Sequence, residues 1–180
     1  MKTKSIPFGL ALCTPALIAL GIMAFVSPAR GDESKLSSKD KSFITNASEA
    51  GNAEIAKANL ANKTSSDPDV KSFADMMVTD HTKAGDELKT IAQGKGAEVA
   101  EGPGTMQKAD IELLKAKSGK SFDKAYAKQS VADHKKAVAL FEKASTDLDD
   151  ADLKAFAEKT LPTLKHHLEE AEKLQAKFVK

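Results

Sequence analysis

Beyond about residue 37 the apolar side chains recur at every third and fourth position, and no stretch alternates apolar with polar. A period near 3.6 residues marks amphipathic helices, whereas a half-buried strand needs a period of two. Four long helices follow from this pattern. The first begins at a cap formed by Ser37 with Asp40, buries Phe43, Ala47, Ala50, Gly51, Glu54, Ala58 and Ala61, and stops near Thr64 to Ser66. Asp67-Pro68 then supplies a cap and a proline for the first turn of the second helix, which shows Phe73, Ala74, Met77, Val78, His81, Ala84, Gly85 and Leu88 on one face and ends at Gly94-Lys95-Gly96. A third stripe runs through Phe122, Tyr126, Ala127, Ser130, Val131, His134, Ala137, Val138 and Phe141. The fourth, capped by Asp149 or Asp150, carries Leu153, Phe156, Thr160, Leu164, His167, Ala171, Leu174 and Phe178. Pro162 lacks the N–H that would bond to the carbonyl of Glu158, so this last helix is expected to bend or to divide into two shorter pieces.

Between the second and third stripes lies the one long connection, broken at Gly102-Pro103-Gly104 and at Ser118-Gly119, with a short helix from roughly Met106 to Lys117. It is long enough to cross a bundle or to reverse the chain. The expected architecture is all-α: a four-helix bundle with a short extra helix in that connection.

The first residues are of a different kind. Lys2 and Lys4 precede an apolar run from Ile6 to Val26, and Ser27 and Ala29 provide the small residues of a cleavage site before Arg30, with cleavage before Asp32 as an equivalent. Residues 1–29 are therefore expected to be a secretory signal, 30–38 a short tail and 39–180 the bundle. An uncleaved membrane anchor is the alternative, although Pro7 and Pro15 interrupt the run. The one cysteine, Cys13, falls inside this segment behind Leu12, where a lipoprotein signal would need a small residue. The exported domain has no cysteine, so its core alone must hold it. Export makes the periplasm or the outer membrane the expected address, and envelope proteins or a membrane surface the expected partners.

Composition adds mainly exclusions. In 180 residues, 27 Lys plus Arg face 26 Asp plus Glu, which leaves no basic field for nucleic acid, and the lysine runs have no interleaved aromatics for stacking on bases. No nucleophile with a base, no phosphate-cradling glycine loop, no cysteine cluster and no carboxylate pair is present, so no catalytic residues are assigned.

Val78-Thr79-Asp80-His81-Thr82-Lys83-Ala84 is echoed by Val131-Ala132-Asp133-His134-Lys135-Lys136-Ala137, and more loosely by Leu164-Lys165-His166-His167. Together with Gly51-Asn52-Ala53-Glu54-Ile55, Val70-Lys71-Ser72-Phe73-Ala74, Phe122-Asp123-Lys124-Ala125-Tyr126 and Leu161-Pro162, these segments resemble DUF4142, a family of exported bacterial domains often labelled outer-membrane proteins. The resemblance covers roughly Lys39 to Phe178 and implies a ferritin-like fold and export. The family brings no established activity, so chemistry must come from the residues.

One polar residue interrupts each apolar stripe: Glu54, His81, His134 and His167. Counted from the turns at 1.5 Å per residue, all four fall near mid-bundle whichever way the long connection runs. Three imidazoles and a carboxylate suit a single Zn, Fe or Cu ion. Asp80, Asp133 and His166, each one residue off the stripe, are placed to orient such ligands, or else to pair with lysines such as Lys83 and Lys136. Val78, Val131 and Leu164 stand where Glu-x-x-His motifs would need glutamates, so di-iron carboxylate chemistry and iron storage are disfavoured and a mononuclear site or none is left. Met76 and Met77 offer thioethers that suit Cu(I), although a Met pair at helical spacing is more often core filling. Three readings remain open: an exported metal-binding bundle of envelope or stress physiology; a structural or interaction module whose histidines form a hydrogen-bonded core with Glu54 or Tyr126; and a metal-dependent oxidoreductase on the same four residues.

Overall fold

The computed structural model describes residues 35–179. The expected signal, its expected cleavage site and Cys13 lie outside them. Five helices follow in order: α1 (Ser38–Thr64), α2 (Pro68–Gly94), α3 (Thr105–Lys115), α4 (Gly119–Asp147) and α5 (Ala151–Lys177), with no strand among the described residues. None of these helices is long and apolar enough to cross a membrane.

Local chemistry sets the helix ends. Ser37 and Asp40 close a reciprocal capping box on α1, Asp67 accepts from the backbone of Asp69 and Val70 ahead of Pro68 in α2, and Asp150 does the same for Asp152 and Leu153 in α5. Asp40 works twice, because its other oxygen accepts from the backbone N–H groups of Asp149 and Asp150 and so fastens the start of α1 to the α4–α5 turn. Gly119, at φ +51°, turns the chain into α4 in the left-handed region that favours glycine.

The expectation that Pro162 divides the last helix is corrected: α5 runs unbroken through it. Pro162 faces solvent, while Phe156, Ala157, Leu164 and His167 bury the opposite face on both sides of it. Packing along two turns in each direction outweighs one missing backbone hydrogen bond.

Two apolar clusters fill the bundle. One gathers Phe43 and Ile44 of α1, Leu88 of α2, Phe141 of α4 and Phe156 of α5; the other gathers Ala58 and Ala61, Phe73 and Met77, Phe122 and Tyr126, and Leu174. Chain order through them fixes direction. Helices α1 and α5 run from the first cluster to the second, and α2 and α4 run from the second to the first. The connection from α2 to α4 therefore crosses the length of the bundle, and α3 within it packs on α1 and α4. Helices α1 and α2 pair, α4 and α5 pair, and α1 against α4 and α2 against α5 complete the ring. In every long helix the residues between the two clusters include a buried polar one, so a polar layer separates two apolar halves.

Candidate metal centre

That layer contains His81 on α2, His134 on α4 and His167 on α5, with 9%, 1% and 1% of their surface exposed. Their ring centroids form a nearly equilateral triangle, 5.6 Å from His81 to His134 and 5.4 Å along the other two sides. One nitrogen of each ring lies within 4.8 Å of the other two.

The outward nitrogens of two rings are already engaged. His134 Nδ1 lies 2.9 Å from the carbonyl oxygen of Ser130, and His167 Nε2 lies 2.9 Å from Asp80 Oδ2. A carbonyl and a carboxylate only accept, so each of these nitrogens carries the proton and donates it. His134 Nε2 and His167 Nδ1 then keep bare lone pairs. Both are buried without a hydrogen-bond partner, as is His81 Nε2. Unpaired buried polar atoms are rare in a folded protein, and three imidazole nitrogens so arranged are a donor set.

Charge around the triangle comes from a residue of α1 that the apolar stripe does not single out. Lys57 of α1, 2% exposed, bonds to Glu54 Oε1 one turn earlier and to Asp133 Oδ2 of α4 at 2.7 Å. Burial opposes its charge, but Glu54 and Asp133 outweigh burial and hold its pKa above the ordinary lysine value. Asp133 is likewise held below the usual carboxylate range, with burial opposing and Lys57 and Lys136 prevailing. For His81 every influence acts one way: burial first, then the other two histidines and Lys57, press its pKa well below 6.5. Burial also lowers His167, and its bond to Asp80 offsets part of that. Both rings are neutral at neutral pH, the state in which imidazole is a ligand.

The sequence-derived candidates thus separate. His81, His134 and His167 come together as expected. Glu54 is buried in the same layer but stands outside the donor triangle, because Lys57 holds its Oε1; its Oε2 is buried without a partner. Asp80 orients His167. Asp133 pairs with Lys57 and, at 3.3 Å, with Lys136, rather than with a histidine. His166 is exposed, its ring 6.5 Å from that of His167, beside a shallow groove with Met76 and Glu170. Tyr126 OH and Ser130 Oγ are also buried with no partner beyond each other, and burial, reinforced by the charge on Glu54 and only partly opposed by Ser130, pushes the phenol well above its usual pKa. The signal for Lys57 was its place three residues after Glu54, on the same face of α1.

The donors fit a transition metal in kind. Ligation at about 2.0–2.1 Å would draw the three nitrogens to roughly 3.3 Å apart, within reach of modest ring tilts. Asp80, Asp133 and Glu54 when ionised, against Lys57, leave a net negative surround that complements a divalent cation.

The sequence matches the domain of unknown function DUF4142 over residues 26–174, and the chain belongs to that family. No curated protein matches it. Among solved structures the fold is similar to a DUF305 fragment from Deinococcus radiodurans, with TM-score 0.70 and 12% identity over 79% of this chain and 98% of that one. It is similar also to CopM in its Cu(I)-bound form, with TM-score 0.66 and 16% identity over 78% of this chain and 97% of that one. The Cu(II)-bound form of CopM gives TM-score 0.63 and 17% identity over 77% and 96%. At these identities the likeness is one of fold.

Proposed function

We propose that the protein is an exported, non-catalytic metal-binding bundle that holds one transition-metal ion on His81, His134 and His167, with copper as the preferred ion. The observation that carries the reading is the triangle of buried imidazole nitrogens, each without a hydrogen-bond partner and two with a fixed tautomer. Asp80 and the Ser130 carbonyl supply the outer hydrogen bonds that metal-ligating histidines characteristically make. An all-imidazole set accepts Zn, Fe and Cu, and among divalent first-row ions affinity peaks at Cu(II). The likeness of fold to CopM, whose structures hold copper in both oxidation states, supports the same choice. The single long crossover supports a ferritin-like class for the bundle, and the apolar run before Arg30 supports export to the periplasm.

Equilibrium titration of chelator-treated protein tests the reading. One Cu²⁺ per chain is expected at high affinity, with Zn²⁺ weaker and in competition. Replacing all three histidines by Ala removes that binding, whereas His166→Ala leaves it. Binding that survives the triple replacement, or no binding by the unmodified chain, contradicts the proposal.

A further inference from the structure

The three histidines are not equally enclosed. A cleft of about 1290 Å³ runs alongside α1 beneath the segment that leaves α2, and its inner wall includes His81 and His134, with Glu54, Lys57 and Asp133 beside them. His167 is not part of that wall.

Glycine forms the wall where it meets the first of these rings. A Cβ built on Gly51 would stand 4.0 Å from His81 Nδ1, at ordinary van der Waals distance, so any larger side chain would project over the ring. As glycine, the position leaves that edge uncovered.

The outer lip is fixed and acidic. Ala100 is fastened to α1 at both backbone groups: its N–H donates to Ser48 Oγ at 2.9 Å, and its carbonyl accepts from Asn52 Nδ2 at 2.8 Å. This fastening holds Glu98 and Glu101, both exposed, against the cleft. Seven carboxylates line the cleft against three lysines, in a chain whose formal net charge is only +1. Lys57 and Lys136 pair with Glu54 and Asp133 at the inner end, so the acidic excess lies with the remaining carboxylates, and a concave, low-dielectric surface with a net charge focuses the field and concentrates ions of the opposite sign. On the other side of the site, Asp80 already spends its carboxylate on His167.

We propose that this cleft is the route by which the ion reaches the histidines, with Glu98 and Glu101 gathering cations at its mouth and Gly51 keeping its inner end open. The inference rests on the metal reading above and concerns rate rather than affinity.

Stopped-flow loading with Cu²⁺, followed by quenching of the single Tyr126, tests it. Gly51→Leu should slow loading and release together by about tenfold or more, and leave affinity and stoichiometry near those of the unmodified protein. Gly51→Ala, which the geometry accommodates, should load at close to the native rate. The double variant Glu98→Lys/Glu101→Lys should also load at least about tenfold more slowly at low salt, with the difference shrinking as salt rises. Because both lip residues are exposed, that variant keeps its fold and decides the matter if Gly51→Leu does not fold. His166→Ala, on the opposite groove, should load normally. Loading at the native rate by the charge-reversed chain and by folded Gly51→Leu overturns the route while leaving the site intact. An unmodified protein that takes up no Cu²⁺ overturns the metal reading and the route with it.

Discussion

At the scale of single residues, the imidazoles acquire their chemistry from what holds their outer nitrogens. Asp80 donates nothing; it accepts from His167 Nε2 and so leaves Nδ1 bare and directed inward. Asp80→Asn keeps the shape but loses the charge and can present its NH₂ group to the ring, so it should weaken copper binding about 10- to 100-fold with little change in helix content. A competition titration against a chelator of known affinity measures this, and an unchanged affinity would remove Asp80 from the account. Protonation provides a second residue-scale test. The folded pKa values of His81 and His167 are depressed, so in the window just below pH 6.5 the unfolded chain binds more protons than the native one. Stability of the metal-free protein is then present above about pH 6.5 and falls on acidification, by about 1.4 kcal/mol per pH unit for each histidine, until its folded pKa is passed. Urea unfolding at a series of pH values reads that slope, and a flat profile between pH 6.5 and 5 would contradict the depressed pKa values of buried His81 and His167. Lys57 shows where residue reading stops. A lysine among apolar neighbours is by default assigned to solvent, and its burial depends on Asp133 of a different helix, a pairing that no local pattern contains.

At the scale of elements, sequence and structure agree wherever one local interaction decides. The caps at Ser37, Asp67 and Asp150 were legible because each satisfies backbone donors within three residues. Pro162 does not divide α5, because its local cost is real but opposed by packing from elsewhere in the chain. Pro162→Ala restores an N–H to meet the Glu158 carbonyl on the exposed face of α5 and should stabilise the protein by about 1–3 kcal/mol. Thermal or urea unfolding checks this; a variant no more stable than the parent would mean that α5 is already adapted to the missing bond. The short helix α3 begins and ends within two residues of its expected bounds, yet nothing in its sequence says which long helices it covers.

At the scale of the whole molecule, the bundle is two apolar halves with a charged and imidazole-rich layer between them. The height of that layer was legible from counting turns, since both a reversing and a crossing connection place the same residues at mid-bundle. The crossing was not legible, because a connection of that length suits either topology. The layer replaces apolar contacts with groups that must be paired, and the ion pairs of Lys57 satisfy one side of it while the three imidazole nitrogens remain without protein partners. On the proposed reading, a metal ion that binds only the folded chain would complete the layer and stabilise the fold by mass action. X-ray absorption on copper-loaded protein tests that claim most directly. A first shell with three imidazole nitrogens at about 2.0 Å is expected, reduced in number when His81, His134 or His167 is replaced and unchanged when His166 is; a shell of oxygens alone, or one indifferent to those three histidines, would contradict a metal held by the triangle.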